Sequence, residues 1–146
     1  MKRAFILTMA LVVLSATALG CTASKDQALN FNVGGQVSKA GTYNLDDYKD
    51  KLITINAKLD GQVTHLPAQN YTGVPLRLIL SDAGAKDGST NVTISASDGY
   101  VQTFDYANVT SSDNLILINQ NDTVRLVAKG YVGGYWVEQV KAIEVS

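Results

Sequence analysis

The chain has 146 residues, 12 Lys and Arg against 13 Asp and Glu, a formal net charge of −1 and one cysteine. With no basic excess and no basic patch it is not built to bind nucleic acid or to hold an anionic membrane by charge. A lone cysteine rules out an internal disulfide, so a fold exposed to an oxidising compartment must rest on burial.

The first twenty residues form an export signal. Lys2 and Arg3 supply a positive start, Ala4 to Leu14 an apolar run, and small residues lead to Cys21 in SATALGC. About eleven apolar residues are too few to span a hydrocarbon core of about 30 Å. Ala18-Leu19-Gly20 before Cys21 resembles a prokaryotic lipobox, with Ala18 where Leu is commonest. That pattern implies cleavage before Cys21 and a lipid on its sulfur. The expected division is signal 1–20, tether 21–27 and one domain 28–146, held extracytoplasmically at a prokaryotic cell envelope. A domain of that size buries about two thirds of its unfolded surface.

Leu29, Phe31 and Val33 alternate with Asn30 and Asn32, the period of a half-buried strand. A turn follows around Lys39-Ala40-Gly41. Asn44 is placed to cap a short segment, Leu45 to Lys51, whose Asp46, Asp47 and Asp50 suit a helix start and a solvated face better than a metal site. Leu52 to Leu59 alternates again, with Ile53, Ile55, Ala57 and Leu59 as the apolar set. Asp60 to Asn70 is polar and irregular, a loop holding the only histidine, His65, which is more often a hydrogen-bonded surface group than a catalyst.

Pro75 fits a first helical position, and Leu76, Ile79, Leu80 and Ala83 recur at the spacing of one buried helix face, with Gly84 as the left-handed stop. A helix of two and a half turns must be docked to persist. Val92, Ile94 and Ala96 alternate with Thr93, Ser95 and Ser97, and Asp98-Gly99 signals a two-residue hairpin. That register pairs Ser97 with Tyr100 and puts Tyr100, Phe104 and Tyr106 on the Thr93/Ser95/Ser97 face. Leu115 to Ile118 and Thr123 to Ala128 are further strands, the second carrying Arg125. Trp136, Val137, Val140 and Ile143 are spaced like a helical turn before a last strand at Ile143-Glu144-Val145. Short strands with one or two short helices predict a β-rich α+β domain.

The chain lacks a phosphate-binding glycine loop, a nucleophile elbow and any Cys/His cluster for zinc. Asp82 to Gly88 lacks the alternating oxygen ligands of a calcium loop.

Several phrases occur in a fixed order: FNVGGQV…GTYNLDDYKDKLITINA, Tyr71-Thr72-Gly73-Val74-Pro75-Leu76, the Ala83-Gly84 helix end, Asp98-Gly99-Tyr100, Val124-Arg125-Leu126-Val127 and WVEQVKAIEV. In that order they resemble the oxidoreductase molybdopterin-binding domain, the fold of sulfite oxidase and its soluble and periplasmic relatives. The resemblance runs from about Ala28 to Ser146. It implies a cofactor-facing side where Arg125 and the Gly133-Gly134-Tyr135-Trp136 turn fall. Catalytic members ligate molybdenum through a cysteine ahead of the Tyr71 phrase, and none lies between Leu52 and Tyr71. They also commonly carry a lysine where this chain has Glu138.

The resemblance therefore implies a fold kept without its metal thiolate, so neither a catalytic residue nor a metal ligand is assigned. The expected function is a non-catalytic, membrane-anchored module for a small molecule or a protein partner. Tyr71, Tyr100, Arg125, Tyr135 and Trp136 form the candidate binding side, since aromatics with one arginine suit a planar anionic group. No resident cofactor is expected. The alternatives are a molybdopterin-dependent oxidoreductase or its accessory subunit, and a structural or adhesion domain of the cell surface.

Overall fold

Apolar and polar alternation is realised in nine strands among the described residues, 28–146, of the computed structural model. The expected signal 1–20 and the expected tether 21–27, Cys21 with them, lie outside the described residues. The strands are β1 (Asn30–Gly35), β2 (Gly41–Asn44), β3 (Ile53–Asp60), β4 (His65–Pro75), β5 (Asn91–Ala96), β6 (Val101–Asp105), β7 (Leu115–Gln120), β8 (Thr123–Ala128) and β9 (Val140–Val145). Helix α1 (Leu76–Asp82) follows β4, and α2 (Tyr106–Ser111) follows β6. One sheet has the order β2-β1-β9-β5-β6 and the other β3-β4-β7-β8. β1 and β9 run parallel; the other pairings are antiparallel. The domain is the β-rich α+β fold expected.

Local chemistry accounts for most elements. Phe31 and Val33 are buried while Asn32 is exposed, and Val92, Ile94 and Ala96 are buried from β5. Leu76, Ile79 and Leu80 of α1 are fully buried, as is Ala83, its C-cap. That helix ends in a Schellman arrangement: Gly84 is left-handed (φ 66°), its N–H donates to Ser81 O, and Ala85 N–H donates to Leu80 O. The Asn44 side chain accepts from Asp46 N at 2.8 Å, but the segment it caps is a 3-10 turn, Leu45–Tyr48. Beside it, burial and then the Asp82 carboxylate push the Tyr48 hydroxyl up to about 12.

Four expectations need correction. The polar stretch 60–70 is a loop only to Thr64, because His65 opens β4, which pairs along β3. Proline in a strand needs a place with no ladder donor. Ala57 faces Gln69 and Leu59 faces Leu66, so Pro67 sits in the bulge between them. Next, β5 and β6 pair Ser95 with Val101 and Val92 with Phe104, one residue off the expected register. Their loop is Ser97-Asp98-Gly99, with Gly99 left-handed (φ 89°) and Asp98 Oδ1 accepting from Tyr100 N. A one-residue slip sends every side chain to the other face. Phe104 therefore enters the core beside Val92, and Tyr100 leaves the Thr93/Ser95 side. Third, Tyr106 begins α2, whose N-cap Asp105 accepts from Asn108 N. Last, Trp136 to Val140 is no helical turn: a 3-10 turn at Gly133–Tyr135 leads through an irregular stretch into β9.

Candidate functional site

β3 and β4 project as a ribbon past the body of their sheet, and the loop joining them, Gly61 to Thr64, meets the turn at Gly133. The contact is backbone to backbone: a Cβ on Gly133 would stand 2.7 Å from Gly61 Cα. Between these two segments lies a cavity of about 710 Å³. Its walls include Asp60 and Val63 from the ribbon, Tyr100 after the β5–β6 turn, Arg125 from β8, and Trp136 and Glu138 from the segment before β9.

Arg125 dominates the charge of this site. Both faces of β8 are buried, so its side chain is only 10% exposed. Nη1 donates to Gln120 Oε1 at 2.6 Å, Nη2 lies 3.4 Å from Glu138 Oε1, and the guanidinium stands 5.7 Å from the Trp136 ring centre. That arrangement combines an ion pair with a cation–π contact. Arg125 Nε and Trp136 Nε1 are both buried with no hydrogen-bond partner among the described residues. Buried donors seldom go unpaired, because each forfeits its bonds to water. Glu138, by contrast, has a side chain 69% exposed. The next residue, Gln139, is left-handed at φ 50°, a costly conformation for a non-glycine side chain. Its carbonyl and Oε1 accept from Ser97 N and Oγ, which tie the turn down. Across the cavity, Asp60 is held below the usual carboxylate range by the Lys58 ammonium and the His65 ring.

The candidate residues are partly gathered. Tyr100, Arg125 and Trp136 line the cavity together. Tyr100 donates from its hydroxyl to Gly134 O. Tyr71 is buried behind Trp136, edge to face at 5.3 Å, and supports the indole without lining the cavity. Tyr135 faces away, against Phe104 and Tyr131. His65 is exposed and bonded to Asp60 at 2.7 Å. Asp46, Asp47 and Asp50 are exposed, and no group of three acidic, Cys or His side chains suited to a metal occurs among the described residues. Sequence reasoning missed the ribbon loop, which supplies a whole wall. Its signal was the pair of glycines Gly61 and Gly133, whose close approach no local pattern reports.

The family model described as oxidoreductase molybdopterin binding domain matches residues 19–146. No curated protein sequence matches the chain. Among solved structures similar to it is the sulfane dehydrogenase SoxCD from Paracoccus pantotrophus, with a TM-score of 0.70 at 20% identity, over 84% of this chain and 39% of that chain. The chain thus spans well under half of that relative, and likeness at such identity is one of fold.

Proposed function

We propose, from the premise that the chain belongs to the oxidoreductase molybdopterin-binding domain family, that it is a lipoprotein anchored through Cys21 whose domain binds a ligand without molybdenum catalysis. The cavity lining carries this reading. Molybdenum held in the family's manner needs a thiolate, and the one cysteine of the chain is Cys21, ahead of β1. A phosphate-bearing pterin would find the one guanidinium of the lining already facing Glu138, with Asp60, itself paired with Lys58 at 3.0 Å, on the far wall. The residues present do not fit that group.

They fit a planar monoanion better. One carboxylate can replace that of Glu138 on Arg125, since Glu138 is free to turn to water while Arg125 is fixed by Gln120 and Trp136. The aromatic wall of Trp136 and Tyr100 then covers the ring. Removing the internal competitor, Glu138→Gln, should tighten binding of an aromatic carboxylate by about two- to fivefold, the worth of about 0.5–1 kcal/mol for an exposed ion pair. Arg125→Gln should abolish it. Titration followed by the fluorescence of Trp136, the only tryptophan, measures both. Family membership also favours a second reading, a molybdopterin-dependent oxidoreductase with a non-cysteine ligand or its accessory subunit. Stoichiometric molybdenum in protein from its native host, with pterin fluorescence after denaturation, would establish that reading and overturn ours.

A further inference from the structure

Five large apolar side chains are exposed among the described residues, and three of them border the cavity: Val63 (94% exposed), Val132 (63%) and Tyr100 (43%). Val63 tips the β3–β4 loop, and Val132 precedes the Gly133 turn. Beside Val132, Lys129 and Tyr131 border a neighbouring shallow groove. Bare aliphatic tips flanked by tyrosines and a long cationic side chain match the composition of surfaces that sit in a lipid headgroup layer.

Topology puts the start of the domain at the same end. β1 runs parallel to β9 with Asn32 beside Ala142, so Asn30 stands level with Val140 and the chain enters beside Glu138 and Gln139. Ala96 pairs with Val140, which brings the Ser97–Gly99 loop and Tyr100 to that end as well. Seven residues, Cys21 to Gln27, separate the proposed lipid from the described chain. Fully extended they reach about 25 Å, less than the roughly 35 Å width of a domain of this length. A bulky protein partner would have to enter that gap, whereas the bilayer already fills its far side.

We propose that the cavity-bearing end rests against the lipid surface, Val63 and Val132 entering the headgroup layer, so that the cavity opens onto the bilayer and takes its ligand there. The proposal rests on the lipid-anchor reading of Cys21. It requires no basic patch, because the acyl chains supply retention and the valines only set orientation.

The test uses the acylated full chain, whose one cysteine is occupied by lipid, in phosphatidylcholine vesicles. A single thiol is introduced as Val63→Cys, Val132→Cys or, at the opposite end beyond α1, Asp87→Cys, and labelled with the environment-sensitive dye NBD. At positions 63 and 132 the dye should shift to the blue and lose emission when the acyl chains are brominated; at position 87 it should do neither. Equal behaviour at all three positions in vesicle-bound protein overturns the proposal. If mass spectrometry finds Cys21 unmodified, the anchor reading has failed by itself. A Cys21→Ser chain, its signal replaced by a histidine tag on a nickel-chelating lipid, then gives the same readout, and the same comparison supports or overturns the orientation.

Discussion

Gly133→Ala tests how the cavity is built, because one added carbon falls where two backbones cross. The new Cβ would lie 2.7 Å from Gly61 Cα, 2.9 Å from Gly61 N and 3.3 Å from Leu59 Cδ2. Two of those neighbours are backbone, so relief requires moving the β3–β4 loop rather than turning a side chain. Forced packing of this kind costs about 1–3 kcal/mol. Against it stands the gain from stiffening the unfolded chain, about 0.4–1 kcal/mol for glycine to alanine at a compatible site. The net expectation is a loss of between zero and about 2.6 kcal/mol. Gly134→Ala is the internal control: its Cβ would meet only Tyr100 Oη, at an ordinary 3.5 Å. It should therefore be neutral or stabilising by a few tenths of a kcal/mol. Urea unfolding of both variants, followed by Trp136 fluorescence, measures the difference. Thermal scans should separate them by several degrees, at about 3–6 °C per kcal/mol for a domain of this length. If Gly133→Ala proves as stable as Gly134→Ala, the ribbon loop does not rest on the Gly133 turn and the cavity lacks that wall.

Three further outcomes are expected. Tyr48→Phe should flatten the alkaline stability profile. The folded hydroxyl titrates near 12 against about 10 unfolded, so its contribution is complete below pH 10 and is lost as pH rises towards 12, on the order of 1–2 kcal/mol; circular dichroism melts between pH 9 and 12 measure this. Gly99→Ala should cost about 1 kcal/mol, because φ 89° is left-handed and no neighbour lies within 4 Å to add a steric term; an unchanged urea midpoint would show that Gly99 does not hold that conformation. Cys21→Ser should move the protein from the membrane to the soluble fraction, and continued retention would count against lipidation.

Legibility in the sequence followed the range of the forces involved. Elements specified by their own residues, such as β1, β5 and α1 with its Gly84 stop, were visible because an apolar face and a terminal signal lie within ten residues of each other. The β5–β6 register was not, since Asp98-Gly99 is compatible with a two- or three-residue loop. Burying Phe104 against Val92 favours the longer one. β4 was hidden for a different reason. Its first half, His65 to Asn70, buries almost nothing and is held by backbone pairing to β3 and by polar cross-strand pairs such as Asn56 with Asn70. α2 buries Val109 alone from its one and a half turns, too little to set a period. At the site, family resemblance brought Arg125 and Trp136 together before any spacing could. The direction of Tyr135, away from them, depends on Phe104 and hence on the register that local signals left open.

The order β2-β1-β9-β5-β6 makes β9 the central strand of its sheet, parallel to β1 on one side and antiparallel to β5 on the other, and it begins about 110 residues after β1. Until β9 emerges, β1 has only β2 beside it, and the β5–β6 hairpin has no link to either. At synthesis rates of roughly 5–20 residues per second the leading strand waits on the order of ten seconds for its partner. During that interval the chain is unable to close this half of its core. Such a domain stays threadable while it is being made, and it becomes whole only when its last strand slides in between two waiting hairpins.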